Sequence, residues 1–443
     1  MAVGSAPRLL RTMTLKDLVL YGIVMISPVA PMSIFGVLSE RGGGHVVTAI
    51  LIAMVAMLFT GVSYGRMARA YPSAGSAYTY VAQEIHPFLG YVTGWGMVMD
   101  YLLLPLICTL WCAEQSHVFV PAVPMFVWKI FFAGVFTLIN LQSIRSTARI
   151  NALMAAGMGA VVIVVFFAAA NYILGQPHTG PGFFSRPFYD AHTFSYGGLF
   201  GCTSIAVLTY IGFDAISTLS EEALNPRRNI LLATVLTCFA IGILSAGEVY
   251  VAQLMWPASE KFPDVDTAYV WVAGRSWKPL FTIVGFTLML GIFASGMSAH
   301  LGAARLLYGM GRSNALPKRF FGAIDARHQI PRNNVFLVGA LALIGSLFLS
   351  FALGAELVNF GALIAFMGVN AAAFLRYFVR EKNKKAWNFI PPVLGFAICL
   401  ALWWNLGQAA KVLGSLWMAL GIAFGVWQTR GFRDSLSFEM IEE

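Results

Sequence analysis

The sequence is a succession of apolar runs, most of them about as long as a membrane-crossing helix. Such a helix needs about 20 mostly apolar residues, and only helices and closed barrels satisfy their own backbone hydrogen bonds in lipid. Charged residues make up 11% of the 443 residues, against about 25% in a typical soluble domain. We therefore predict an all-α polytopic membrane protein. The twelve predicted spans are residues 17–39, 45–65, 88–113, 123–141, 150–174, 195–219, 230–256, 279–305, 334–353, 356–375, 387–406 and 411–429.

Basic residues concentrate on one side of this topology. With the N-terminus placed inside, most of the 29 Lys and Arg residues fall in inner segments, as the positive-inside rule requires. This asymmetry predicts that both termini lie in the cytoplasm, and we expect no cleaved signal peptide. The same asymmetry accounts for the net charge of +9, because the excess basic residues lie in the cytoplasmic segments of a protein in a lipid bilayer. We therefore expect no nucleic-acid partner.

Residues that could carry catalysis are scattered along the chain. The five cysteines lie in apolar runs and their odd number provides no disulfide framework. The sequence has no GxxxxGK[ST] and no HExxH motif, and its seven histidines are dispersed. We therefore predict no enzyme, no cofactor and no metal site, and we expect any active transport to be driven by a gradient.

Two predicted spans carry helix breakers. The first contains MISPVAPMSIFG with Pro28 and Pro31, and the sixth contains TYIGFDAI with Gly212 and Asp214. Inverted-repeat transporters place such breaks at matching positions of their two halves, around the substrate. We therefore predict two repeats, and the predicted divisions are a cytoplasmic leader 1–16, a first repeat 17–174, a second repeat 195–376, added helices 387–429 and a cytoplasmic tail 430–443.

The chemistry of the two breaks favours a ligand with a cationic amine. A broken helix offers free carbonyl and N–H groups, but Pro28 and Pro31 each lack an N–H, which weakens carboxylate binding without excluding amino acids. Asp100 and Asp214 are intramembrane acids and hence functional candidates, although Asp100 could equally be a structural anchor. Nearby aromatic rings could hold an ammonium group or simply pack. The predicted substrate-binding residues are Ile26, Ser27, Pro28, Val29, Ala30, Pro31, Ser33, Asp100, Tyr101, Tyr210, Ile211, Gly212, Phe213, Asp214 and Phe293.

Several longer motifs carry a family resemblance. YIGFDAISTLSEEALNPRRN resembles the sixth-helix signature of amino acid–polyamine–organocation (APC) permeases. SYGRMARAYPSAGSAYTYV, GWGMVMDYLLLP, HLGAARLLYGMGRSNALPKRFFG and LVNFGALIAFMGVN resemble the bacterial putrescine-importer branch. The resemblance implies a leucine-transporter-like fold, with a 5+5 inverted repeat, broken helices 1 and 6 and two extra C-terminal helices. It also implies uptake of amines or amino acids across a bacterial inner membrane.

Three positions bear on substrate and coupling ion. Ser33 stands where the resemblance places an acid, which puts putrescine itself in doubt, and Met158 stands where some proton-coupled members have a lysine. A sodium site between spans 1 and 8 would use Ser295 and Ser298, although small hydroxyl residues also allow close helix packing. We favour protons over sodium.

We predict a secondary active importer of amino acids or amines that works by alternating access. Glu221 and Glu222, at the inner end of span 6, are predicted to form a salt-bridged gate or a solvated helix end. An exchanger and a sodium-coupled symporter of the same fold remain alternatives. From a different class, a non-transporting sensor is disfavoured because the tail after Arg430 is short.

Overall fold

The computed structural model describes residues 13–71, 76–142, 148–176, 182–221, 223–257, 259–312, 316–325 and 330–428. Within these residues the chain is almost entirely helical, and its one β-type contact is an isolated bridge between Met13 and Ala223. The α-helices are α1 Leu15–Ile26, α2 Ala30–Gly42, α3 Val46–Ala70, α4 Ser76–Glu84, α5 Pro87–Phe119, α6 Met125–Leu141, α7 Ala148–Leu174, α8 Tyr196–Ala206, α9 Ala215–Thr218, α10 Pro226–Met255, α11 Ala268–Ser276, α12 Pro279–Arg312, α13 Lys318–Phe321, α14 Arg332–Phe348, α15 Phe351–Phe374, α16 Ala386–Trp404 and α17 Gln408–Gln428.

Each of the twelve predicted spans coincides with helix. In the described residues, nine helical segments are long and apolar enough to cross a membrane, and the α1–α2 pair, bent by 46°, makes a tenth. Helices α6 and α14 are apolar but only 17 residues long. The polytopic all-α architecture is thus confirmed, and the count of twelve crossings stays a prediction.

The core of the bundle is built from pairs of closely packed helices. α3 packs most extensively on α10, and α5 packs on both α12 and α15. Glycines permit this approach: a Cβ on Gly65 of α3 would lie 2.5 Å from Leu231 of α10, and a Cβ on Gly361 of α15 would collide with the backbone of Gly96 in α5. This packing brings spans 2 and 7, and spans 3 and 8, together, and the division into two repeats stays a prediction.

The side of the bundle on which α1 begins and α17 ends is called the terminal face here, and the other side the opposite face. At the terminal face α4 lies between the predicted spans 2 and 3 in the chain and packs against α5 and α15. The Glu84 side chain at its end is 1% exposed and forms ion pairs with Arg376 (2.5 Å) and Arg380 (2.7 Å). The Tyr71 hydroxyl donates to Glu84 at 2.7 Å. These contacts fasten α4 to the end of α15.

Candidate functional site

The first span is interrupted between α1 and α2. Pro28 has no N–H, so the carbonyl of Val24 loses the donor that a continuous helix would provide four residues later. Ser27 has φ +72°, a left-handed conformation that strains a non-glycine residue by about 1–3 kcal/mol. Its hydroxyl donates to the sulfur of Met158 at 3.6 Å. Pro31 falls in the first turn of α2, where a missing N–H costs no hydrogen bond.

The sixth span is interrupted between α8 and α9. After α8 the chain forms a 3₁₀ turn over Val207–Tyr210 and then leaves the helical path until Ala215. Gly212 has φ +113°, which glycine adopts without steric cost. The Asp214 carboxyl lies at the start of the short second half, close to the backbone N–H groups of Gly212 and Ala215.

The two breaks lie side by side around one cavity. A Cβ on Gly212 would be 3.5 Å from the carbonyl carbon and oxygen of Met25, so the break of span 6 faces the end of α1. The cavity between them has a volume of about 400 Å³, within the usual range for small-molecule sites. Thirteen predicted substrate or ion residues line it: Ile26, Ser27, Pro28, Val29, Ala30, Ser33, Asp100, Tyr101, Ile211, Gly212, Asp214, Ser295 and Ser298.

Two carboxyl groups give this cavity its charge. Asp100 extends from α5, and its Oδ1 atom is buried without a hydrogen-bond partner in the described part of the chain. Asp214 is near enough to act on Asp100 electrostatically. The other lining residues are apolar, aromatic or small, with no lysine, arginine or histidine among them. A cavity lined by two acids and by no base among its described residues attracts cations.

The exposure of the residues that line the cavity indicates an opening toward the terminal face. Met25 of α1 is 44% exposed, and Ser295 and Ser298 of α12 are exposed within the cavity. On the opposite side the fully buried Trp111 closes the cavity, because its indole N–H donates to the carbonyls of Ser33 (3.1 Å) and Asp266 (2.9 Å). We therefore interpret the conformation as open toward the terminal face and closed toward the opposite face.

Acidic residues lie between Trp111 and the opposite face, outside the predicted spans. Burial, together with the charges of Asp264 and Glu40, raises the pKa of the Asp266 carboxyl to about 6. Glu114 lies close enough to Asp264 and Asp266 to interact with them. Above pH 6 the Asp266 carboxyl is predominantly ionised, and its charge would attract cations to the opposite face.

The structure places four predicted residues outside the cavity. Tyr210 is fully buried and its hydroxyl donates to the carbonyl of Ile50 at 2.9 Å. Phe213 packs on Tyr64 and Phe366. Phe293 packs on Phe132 and Phe136. Pro31 is buried in the first turn of α2.

The structure describes both residues of the predicted ion site but only part of the predicted gate. Glu222 lies outside the described residues, and Glu221 is described only by its backbone, which ends the 3₁₀ turn Leu219–Glu221. Ser295 lies within hydrogen-bonding reach of Cys108, and both serines line the cavity beside the first break. Whether these serines hold an ion stays a prediction.

Several lining residues were absent from the predicted site. On α5 they are Leu104, Ile107, Cys108 and Trp111, which follow Asp100 at helical spacing and share its face. Extending the face of Asp100 along the helix would have found them. α7 contributes Met154, Ala155 and Met158, for which the sequence offers no polar signal.

Comparisons with known proteins give the family. A family model described as amino acid permease matches residues 22–434. The low-affinity putrescine importer PlaP of Escherichia coli strain K12 is 34% identical over 441 residues, which cover 97% of this chain and 96% of that protein. The branched-chain amino acid permeases BcaP of Lactococcus lactis subsp. cremoris and of Bacillus subtilis are 27% and 25% identical over 93% and 95% of this chain, and over 93% of each relative.

These matches agree with the helical architecture and the paired breaks, and they confirm the resemblance that the sequence motifs carry. Family and relatives are permeases rather than enzymes. The chain therefore belongs to the amino acid permease family of the APC superfamily, in its putrescine-importer-like branch, and it is a multi-pass membrane transporter.

Proposed function

We propose that this protein imports small amines, or amino acids with a cationic amine, by alternating access, and that the substrate binds in the cavity between the broken spans 1 and 6. The observation that carries the proposal is the pair of acids, Asp100 and Asp214, in a cavity without a lining base. A substrate ammonium would supply the hydrogen-bond partner that Asp100 Oδ1 lacks. The putrescine importer among the relatives supports a cationic amine.

The backbone supports the same preference. A substrate carboxylate would need free N–H groups at the start of α2, but Pro28 and Pro31 have none, and the N–H of Ala30 donates to the carbonyl of Ser27 at 3.2 Å. The N–H groups of the span 6 break face the carboxyl of Asp214 instead. A zwitterionic substrate would therefore find a strong site for its amine and a weak one for its carboxylate.

An amino acid with an aliphatic side chain is the second candidate. Ile34, Ile107 and Phe351 give part of the cavity an apolar wall, and two relatives are named as branched-chain amino acid permeases. In either case we propose a bacterial inner-membrane location with both termini cytoplasmic, and protons as the coupling ion. Exchange and sodium coupling are the alternatives.

Uptake into proteoliposomes tests the proposal. Labelled mono- and diamines and branched-chain amino acids would be offered separately, with and without an inward pH gradient and with sodium varied independently. We expect saturable uptake of at least one amine or amino acid, increased by the pH gradient and unaffected by sodium. If no compound of either class is accumulated, exchanged or competitive, the proposed function is wrong.

A further inference from the structure

The carboxyl of Glu248 is buried inside the membrane domain away from the substrate cavity. It lies about two turns before the end of α10, is 0% exposed, and neither carboxyl oxygen has a hydrogen-bond partner in the described part of the chain. An ionised carboxylate without a partner is far too costly in such a place. The conformation described here therefore accommodates the neutral acid. An acid kept inside a membrane domain usually has a function.

Glu248 lies beneath the elements that close the opposite face. The Tyr269 hydroxyl of α11 donates to the backbone carbonyl of Glu248 at 3.2 Å, and the Tyr269 ring packs edge-on against Phe35 of α2, with ring centroids 5.6 Å apart. α2 is the second half of the broken first span. Parting α2 and α11 from α10 would uncover Glu248 to water on the opposite face.

No charged group in the described residues compensates Glu248. Tyr269 is the titratable group that faces it from α11, and on the α7 side the neighbouring Gly247 contacts the ring of Phe166. Burial alone acts on the Glu248 carboxyl. The charged residues of the other helices packed on α10 stand near the ends of those helices: Lys16 and Asp17 in α1, Glu40 and Arg41 in α2, Arg66 and Arg69 in α3.

Two further polar groups lie between Glu248 and the other end of α10. The hydroxyls of Ser245 and Thr237 lie on the same side of this helix, about 12 Å apart along its axis, and both are buried without a hydrogen-bond partner in the described residues. Thr237 contacts α1, since a Cβ on Gly22 would lie 2.8 Å from its hydroxyl. Gly22 lies on α1 just before the part of that helix that lines the cavity, which we interpret as open toward the terminal face.

We propose that Glu248 binds the proton that drives transport. When the opposite face opens, the carboxylate takes one proton from water and becomes a neutral acid, and α2 and α11 can then close over it. With the terminal face open, the acid loses that proton toward the side of α10 that carries Ser245 and Thr237. The carboxylate left behind is not tolerated in this buried position, so the protein returns to the state open to the opposite face, where water solvates the charge. The coupling role rests on the proposed function, but the link between proton and conformation does not.

The link between proton and conformation can be measured without substrate. The five native cysteines are buried, and Cys108, which lines the cavity, is replaced by serine in every variant. A Ser298→Cys reporter then reports access from the terminal face to a membrane-impermeant thiol reagent. Each labelling rate is divided by the rate of the same reporter in a Glu248→Gln background at the same pH, which cancels the ionisation of the thiol. We expect this ratio to fall as pH rises, by up to about tenfold per pH unit, the limit for one linked proton.

Two further variants make the result decisive. Glu248→Met removes the acid without adding a polar group and should label like Glu248→Gln, independently of pH after the same correction. Glu356→Gln alters another acid of a span, one that accepts a hydrogen bond from the backbone of Gly407 at 3.1 Å, and should keep the pH dependence. A reporter without linked pH dependence overturns the proposal, and so does a corrected pH dependence that persists in Glu248→Met.

Transport assays then test the coupling. We expect Glu248→Gln to keep substrate counterflow between equal pH values and to lose accumulation driven by a pH gradient. Gradient-driven accumulation at the level of the unmodified protein would overturn the coupling role. Failure of the proposed function would appear differently, as an absence of both activities in the unmodified protein, and the labelling result would then decide the proton site by itself.

Discussion

Asp100 is the cavity residue whose side chain most clearly lacks a partner. Its Oδ1 atom is buried and has no hydrogen-bond partner in the described residues. Asp214 differs, since backbone N–H groups lie around its carboxyl. We therefore interpret Asp100 as the direct partner of the substrate amine, and Asp214 as the acid that fixes the geometry of the span 6 break and adds negative charge.

Replacing Asp100 tests this assignment. Asp100→Asn removes a charged hydrogen-bond partner, worth about 1.5–3 kcal/mol, so the affinity for a cationic amine should fall roughly 10- to 150-fold. Equilibrium binding of a labelled substrate to purified protein measures the change. Glu356→Gln, outside the cavity, is the matched control and should bind normally. Unchanged affinity in Asp100→Asn would remove this residue from the site.

Gly212 is the residue on which the shape of the second break depends. At φ +113°, an alanine would be strained by about 1–3 kcal/mol, and its Cβ would also approach the backbone of Met25. We expect Gly212→Ala to lower the thermal unfolding temperature and to reduce uptake. Gly134→Ala is the control, because that helical glycine has no neighbouring atom within 4 Å of the added Cβ. Equal effects of the two substitutions would contradict this role.

Residue type alone could not settle which side chains face the cavity. Phe293 and Ser295 are two residues apart on α12, and residues so spaced point about 200° apart on a helix. Both were predicted for functional sites, but only Ser295 can face the cavity while Phe293 packs against α6. Tyr210 and Phe213 lie in the break itself, where the backbone leaves the helical path and periodicity gives no direction.

Helices, by contrast, were predictable because the bilayer fixes their length and composition. The apolar runs located all twelve segments, and paired helix breakers located the cavity. The short helices were harder: α4 and α11 lie outside the apolar runs, and their positions depend on contacts distant in sequence. For α4 these are the ion pairs of Glu84 with Arg376 and Arg380, nearly 300 residues away.

These ion pairs predict the strength of the α4 attachment. Glu84→Gln should destabilise the protein by about 2 kcal/mol, below the 3–5 kcal/mol of a fully buried pair, because the Arg380 side chain is 56% exposed. Glu381→Gln, whose carboxylate is exposed and 3.4 Å from Arg376, should cost less than about 1 kcal/mol. Thermal unfolding in detergent compares the two. A Glu381 effect as large as that of Glu84 would contradict the attachment.

The whole molecule combines a broken pair of helices with a scaffold of unbroken ones. The breaks of spans 1 and 6 meet at the cavity, whereas α3, α5, α10 and α15 run continuously and pack closely through glycines. Trp111 closes one side of the cavity and exposed serines of α12 mark the other. This asymmetry describes one end state of alternating access, and the opposite state requires α2 to part from Trp111.

The central claim is that the transported substrate occupies the cavity between the two breaks. The most direct measurement is protection of the Ser298→Cys reporter from a thiol reagent by a substrate identified in the uptake assay. We predict that saturating substrate slows labelling, with a midpoint that follows the affinity for substrate, and that this protection is lost in Asp100→Asn. A transported substrate that leaves the labelling rate of Ser298→Cys unchanged at saturation would contradict the account.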